Sequence, residues 1–534
     1  MFALLLSYTL LYPVFVAPDE AQHVDMVVAM RHDAFSWPDP ATRALAKGVA
    51  GGSDPISSRG PRIMGPYLIE DAAPRDDRKS IAALGGNAPT ATPPRYPNQL
   101  VQHPPLYYAA SAAIIRSIPG SDGWSFDAYV WFLRFLNVCL ITPLPLLAWA
   151  TTRRLTGFDG PAARVAAVVP LAIPGLTRIG SAVNNDNLVT LMSTLTFFTL
   201  VPVALGDMNL RRAAKVGAVL GLALMSKIFA VAYIPVVGLA YLIGWRRHST
   251  KFPVAPALTA GAFAFVFGGW WHLRSKVLFG TFVPNGFGQA ALDKITARFN
   301  PPTVDAFGKW RRLFVPQMHN RFWSTLGQLE PPALSKTLTA WLTLGVLGAI
   351  VIALIKGVAR RRPESSNTTR THRRRDLVLL GVVPIVFATL IVVQGTYSEY
   401  KRSGYPGGMQ GRYLYCTVVP LAAVVCASLF GRHRRWHQLV PLLAVAFVAF
   451  MQIQAVRLVV RTVWSPPLPG SAFTRLRHQW GALSSWSPLP SGMSMAIVAL
   501  VVASGLWLTL SALLYARRLA PPAPEVVAVG AATP

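Results

Sequence analysis

"KVGAVLGLALMSKIFAVAYIPVVGLAYLI", residues 215–243, carries only two charges, Lys215 and Lys227, and is flanked by Arg211-Arg212 on one side and Arg246-Arg247 on the other. Lys and Arg in short loops mark the cytoplasmic side of a membrane. An apolar stretch that begins and ends in such charges must return to the side it left. At about 30 residues it fits two short half-helices turning near Ser226–Lys227 better than one crossing. That reading sets the sidedness of every neighbouring segment.

Outward from it, the same pattern repeats. The chain has 534 residues, of which 52% are hydrophobic and 14% charged, against roughly a quarter charged in soluble domains. The mean hydropathy is +0.40. These values describe an integral membrane protein. The net charge of +29 sits in short runs between apolar segments: 153–154, 211–212, 246–247, 360–362, 373–375, 434–435 and 517–518. It forms no continuous basic stripe, which excludes nucleic acid as the partner and matches loops lying against an anionic leaflet.

Spans are expected at 1–16, 128–152, 162–179, 187–205, the hairpin within 215–244, 254–273, 336–356, 377–394, 412–430, 438–456 and 495–515. This predicts an all-α polytopic membrane protein of about twelve transmembrane helices, with both termini cytoplasmic. Polar loops at 17–127, 274–335 and 395–411 then face outward. A loop as long as 17–127 is usually functional. Within it, "HPPLYYAASAAIIRSIPG" (103–120) is apolar but short, and reads as an interfacial helix on the outer face. The membrane domain spans 1–515, and 516–534 forms a cytoplasmic low-complexity tail. Cys139, Cys416 and Cys426 lie in apolar stretches and form no disulfide or metal pattern. The N-terminal stretch lacks a basic n-region and a clear cleavage site, and reads as an uncleaved, slightly short span.

Directly after the first span comes "APDEAQH", residues 17–23. Acids beside lipid signal pairing or function. Asp19 and Glu20 also suit the N-cap and first turn of a helix, where the dipole favours carboxylates. His23 shares a helical face with both. Asp186 in "NNDN" sits at the outer end of a span, as a second acid or as a helix cap. Lys227 is an isolated charge in an apolar run and should face a cavity. Arg274 and Arg412 mark outer membrane boundaries, as functional cations or as snorkelling anchors.

The order of these motifs carries a resemblance. One span is followed by "PDEAQH", then "HPPLYY", "RFLN", "SAVNNDNL", "LMSKIF", "GWWHLRSKVLFG", "RFWSTLGQLE" and "QGRYLYCTVVP". Across roughly residues 1–515 this resembles a bacterial multi-span family of formally unknown function. That family is similar in turn to the GT-C superfamily of glycosyltransferases that use lipid-phosphosugars, including protein mannosyltransferases, aminoarabinose transferases and arabinofuranosyltransferases. Several of those enzymes carry a soluble C-terminal domain, and the resemblance is expected to depart from them there.

The resemblance implies a GT-C-like fold in the bacterial plasma membrane. It implies transfer of a sugar from a polyprenyl-phosphate donor to a glycan or lipid acceptor of the cell envelope, on the outer face and with inversion. Its DE motif implies Asp19 as the catalytic base, with Glu20 orienting it or making a supporting contact. The departing phosphate needs cations. His103 stands where some relatives place a Lys, but it carries charge only when protonated. Lys227, Arg274 and Arg412 are the other candidates, Arg offering a fork suited to phosphate. Some members use a divalent ion, so Asp186 and His23 are candidate ligands for Mg²⁺, Mn²⁺ or Ca²⁺. No nucleotide-binding glycine motif is present, which argues against soluble nucleotide sugars. The competing class is a transporter or flippase for an envelope precursor, which twelve spans and a broken hairpin would also suit. A non-catalytic assembly scaffold is the third.

Overall fold

Pro13 ends the first helix early. A proline lacks the N–H that a continuing helix needs, so α1 runs only Phe2–Leu11, and not to residue 16 as its apolar run suggests. Phe15 and Asp19 then take left-handed backbone angles, φ 65° and 59°, a conformation uncommon outside glycine. The two bends turn the chain directly into α2, Glu20–His32. The structure is a computed structural model. It describes residues 1–32, 37, 43–57, 74–91, 98–249, 251–282, 299–324, 334–361, 371–431, 439–464 and 470–518. Glu330 and the low-complexity stretch 519–534 lie outside the described residues.

The remaining helices are α3 (Lys47–Ser57), α4 (Leu106–Arg116), α5 (Phe126–Ile141), α6 (Leu144–Thr156), α7 (Pro161–Val168), α8 (Pro174–Gly180), α9 (Asp186–Ala204), α10 (Leu210–Leu224), α11 (Ile234–His248), α12 (Val254–Ala264), α13 (Trp270–Phe279), α14 (Ala306–Trp323), α15 (Lys336–Lys356), α16 (Asp376–Ser403), α17 (Val418–Phe430), α18 (Val440–Val463), α19 (Ala472–Trp486) and α20 (Ser491–Arg518). Among the described residues, nine helical segments are long and apolar enough to cross a membrane. A tenth is the pair α7–α8, bent by 68° between Pro170 and Pro174. The chain is therefore a multi-pass, mostly helical membrane protein. Among the described residues, the all-helical reading is departed from by a short antiparallel pair, Val358–Arg361 with Thr371–Arg374, and by isolated bridges Ala46–Pro89 and Ser80–Ser125.

The stretch 215–243 does turn at Ser226–Lys227, but its arms are longer than half-helices. α10 has 15 residues, and the returning arm, a 3-10 turn leading into α11, covers 21 residues from Ile228 to His248. At 1.5 Å per residue the latter spans a full hydrocarbon core. Similarly, α16 runs on to Ser403 and takes up most of the expected loop 395–411. The segment 274–335 contains a helix, α14, that its weakly apolar sequence did not announce.

Two ends of the bundle result. At one lie the arginine-rich turns, where Arg247 pairs with Asp376 at 2.5 Å and Arg374 lies 3.5 Å from His248. At the other lie the described residues of the segment 17–127, the turn at Lys227, and the starts of α9 and of the helix leading into α17. This second, loop end is closed by a clasp. Arg75 donates to the Ser487 carbonyl at 2.9 Å and to that of Ser484, and Arg78 to that of Ser485 at 2.6 Å, all at the end of α19. Arg78 also pairs with buried Asp127 on α5. Positively charged side chains suit the exposed carbonyls of a helix C-terminus. The clasp places the end of α19 at the loop end too, in a fourth segment there beyond the three expected.

Candidate active site

Polar side chains that are not needed for packing gather at the loop end of the bundle. The segment before α9 is fully buried, so its polar groups must find partners inside the protein. Asn187 donates through Nδ2 to Asn137 Oδ1 and the Ile179 carbonyl, both at 2.8 Å, and Asn137 in turn bonds Tyr107 of α4. Asn184 Oδ1 accepts from the Asp186 N–H at 2.9 Å. With the asparagines anchoring the turn, the Asp186 carboxylate is free to project across the site. It meets Lys227 Nζ at 2.6 Å through Oδ1.

Lys227 reaches it because α10 stops at a fixed place. Its backbone turns extended after Ser226, and Leu106 of the "HPPL" segment donates to the Met225 carbonyl at 3.3 Å. His272 on α13 lies 3.2 Å from the Leu224 carbonyl. The Lys227 side chain is buried, bonds Asn185 Oδ1 at 3.3 Å and lies 5.2 Å from the Tyr413 ring centroid.

Arg412 completes the group. Its Nη2 donates to Asp19 Oδ2 at 2.8 Å, and its Nε stands 3.5 Å from Asp186 Oδ2. Thus four segments that are distant in sequence contribute two carboxylates and two cations in alternation: Asp19, Arg412, Asp186, Lys227. Arg412 is 9% exposed, and its Nη1 has no hydrogen-bond partner among the described residues. A buried charged donor without an acceptor costs folding energy, and such exceptions point to a functional role or an unseen partner. Arg321, at the end of α14, was not singled out in the sequence. It donates to the Met409 carbonyl at 2.7 Å, and burial, with Arg412 close by, lowers its pKa. Gly411 permits that approach, because a Cβ there would lie 2.3 Å from the Phe322 nitrogen.

The neighbouring acids behave differently. Glu20 faces away from this group. Its Oε1 accepts from Arg134 Nε at 2.8 Å and Val183 N at 3.0 Å; its Oε2 accepts from Arg134 Nη2 at 2.6 Å and Phe15 N at 2.8 Å. Burial alone would raise its pKa, but Arg134, nearby Arg178 and the Val183 amide hold it below the ordinary carboxylate range. Four donors saturate a carboxylate. Glu20 therefore ties the end of α1, the start of α2, α5 and the turn before α9 into one rigid unit. Asp19 does not cap α2 with its side chain; that side chain is directed to Arg412.

His23 hydrogen-bonds Tyr108 Oη at 3.0 Å and stacks on its ring. Burial, together with Lys227, His103 and Arg412, holds its pKa well below the ordinary value of 6.5. Burial and the same two cations do likewise for His103. Both imidazoles are neutral at pH 7, so His103 brings no positive charge to the site. Arg274 is not brought into the group: its guanidinium lies 4.8 Å from the Trp271 ring centroid on α13. Among the described residues, no three His, Cys, Asp or Glu side chains converge as metal ligands. The donor set does not fit a divalent ion, since both acids face Arg412 and Lys227 instead.

A family model, "Predicted membrane protein (DUF2142)", matches residues 2–422. No curated protein matches the sequence. Solved structures similar to it include ArnT from Cupriavidus metallidurans bound to undecaprenyl phosphate, at 13% identity and TM-score 0.44 over 97% of this chain and 76% of that one. The same protein in the apo state gives 14% identity and TM-score 0.46 with the same coverage.

Proposed function

We propose that this chain, which belongs to the predicted membrane protein family matched over residues 2–422, is a glycosyltransferase of GT-C type. It moves a sugar from a polyprenyl-phosphate donor to a glycan or lipid acceptor of the cell envelope, at the outer face. The observation that carries this reading is the alternating group Asp19–Arg412–Asp186–Lys227, with the unsatisfied Arg412 Nη1 inside it. A structural ion-pair cluster would satisfy its donors internally; this one leaves a buried cation available for an anion.

The chemistry follows from those atoms. Asp19 accepts the proton of the acceptor hydroxyl as its oxygen bonds to the anomeric carbon. The bond from that carbon to the phosphate oxygen breaks, and the electron pair leaves on the phosphate. Arg412 and Lys227 hold the growing negative charge, Arg412 through a fork matched to phosphate oxygens. Asp186 keeps Lys227 in place. A single displacement inverts the anomeric configuration. Which sugar moves is set by walls that these charges do not define.

The test is transfer of labelled sugar from a panel of polyprenyl-phosphate sugars by the purified protein in lipid vesicles. Asp19→Asn is expected to lower turnover by about 10²–10⁴-fold, the usual range for a lost general base, while the protein folds and inserts normally. Undiminished turnover in that variant contradicts the assignment. Transport of the same lipid across the vesicle without transfer would favour a flippase.

A further inference from the structure

Arg412 holds the base. Asp19 Oδ2 accepts from Arg412 Nη2 at 2.8 Å, and this bond fixes the direction in which the carboxylate points. The same guanidinium has Nη1 unpaired and Nε only loosely set against Asp186, at 3.5 Å and without a hydrogen bond. Arg412 is thus tied by one strong bond, to Asp19, and carries unused donors beside it.

We infer that Arg412 is a latch on the catalytic base, and that the donor's phosphate releases it. The inference rests on the assignment of Asp19 and Arg412 above. A phosphate reaching this pocket finds Nη1 free, but a bidentate grip needs a second nitrogen. Taking Nη2 breaks the bond to Asp19; turning the fork to Nε moves the guanidinium away from it. In either case the carboxylate changes partner. Lys227 is already fixed by Asp186 and Asn185, so Arg412 is the cation with freedom to exchange. Asp19 is also held in a left-handed backbone conformation, φ 59°, between Phe15 and the rigid unit around Glu20. Such a conformation persists where the surroundings enforce it. The backbone of Asp19 therefore stays in place when Arg412 departs, and the carboxylate is free to turn. Arg412 becomes a positioning residue in the resting protein and a phosphate ligand in the loaded one. The consequence is an order of binding: donor first, acceptor second.

Infrared difference spectroscopy on protein carrying ¹³C-labelled Asp carboxyls, in nanodiscs, tests this directly. The probe is a C55 polyprenyl monophosphate, and its binding is measured separately by native mass spectrometry. Addition is expected to shift a carboxylate stretching band that disappears in Asp19→Asn and persists in Asp186→Asn. The uncharged polyprenol is expected to give no such shift. Binding of the phosphate with an unchanged Asp19 band overturns the latch and leaves the glycosyltransferase reading standing. Absence of phosphate binding overturns both. Arg412→Lys, which keeps the charge but loses the fork, is expected to show a smaller shift on the same lipid.

Discussion

Asp19 bends the chain with a left-handed backbone angle and Glu20 opens α2, and that change of backbone gives two adjacent carboxylates different partners. Asp19 meets Arg412 with 24% of its side chain exposed, whereas Glu20 and Arg134 are fully enclosed and bond only each other and backbone. A buried ion pair adds little net stability, but removing one partner strands the other charge, at about 3–5 kcal/mol. Glu20→Gln is therefore expected to lower stability by roughly that amount, read as a drop in unfolding midpoint in detergent or as lost expression. A stable Glu20→Gln protein with abolished transfer would instead move Glu20 into the chemistry. The adjacent acids were visible in the sequence as a pair, but the left-handed bend at Asp19 that separates their directions was not. Nor were the partners: Arg134 lies 114 positions from Glu20, and Arg412 lies 393 positions from Asp19.

Elements hold these residues through close contacts between backbones. α10 ends at Leu224, three residues before Lys227, and lies against α12 through glycines. A Cβ on Gly217 would lie 2.2 Å from the Ala260 carbonyl, and one on Gly268 would lie 1.9 Å from the Gly221 carbonyl. Gly217 and Gly221 form a small-xxx-small face of the kind that lets membrane helices touch. The five-residue π-helix Phe265–Gly269 then shifts the register between α12 and α13, and His272 meets the end of α10. Bulges of this type occur often at functional sites. Gly221→Leu is expected to force α10 and α12 apart, costing about 1–3 kcal/mol or more and displacing Lys227. The check is a lowered melting temperature together with weakened polyprenyl-phosphate binding. A variant that melts and binds like the parent would show that the contact does not position Lys227. The span α15, Lys336–Lys356, was legible to the residue, because an uninterrupted apolar run between two lysines allows one reading. α1 ended short of the expected 1–16 where a proline divides the apolar run, and the expected span 162–179 is covered by α7–α8 with a bend among its prolines; hydropathy alone does not weigh a proline. α14 was missed because Ala306–Trp323 mixes Lys, Arg and His with aromatics. It folds as a helix by packing Trp310, Phe314 and Met318 against α16 and the residues before α17.

At the scale of the whole molecule, the chain separates two tasks between two ends. Among the described residues, the basic turns around Arg247 and Arg374 lie at one end, and Asp19, Asp186, the Arg412 guanidinium and the clasp to α19 at the other. The peripheral spans α15 and α20 bury only 11% of their apolar windows, so their exposed Leu, Ile, Val and Trp side chains present a broad apolar belt suited to lipid. The positive-inside pattern gave an expected side for each basic run. The convergence of "PDEAQH", "NNDN", "MSK" and "QGRY" was not legible in the sequence, since it depends on how the helices that carry these segments cross. The account's central claim is that this convergence is a phosphate site with a base beside it. A cryo-electron microscopy structure of the protein in nanodiscs with a C55 polyprenyl monophosphate tests it most directly. The account predicts phosphate density within hydrogen-bonding distance, about 2.7–3.2 Å, of Arg412 and Lys227, with Asp19 turned toward the open side of the phosphate. Lipid phosphate bound only at the arginine-rich end, with the Asp19–Arg412 pair intact and the site closed, would contradict it.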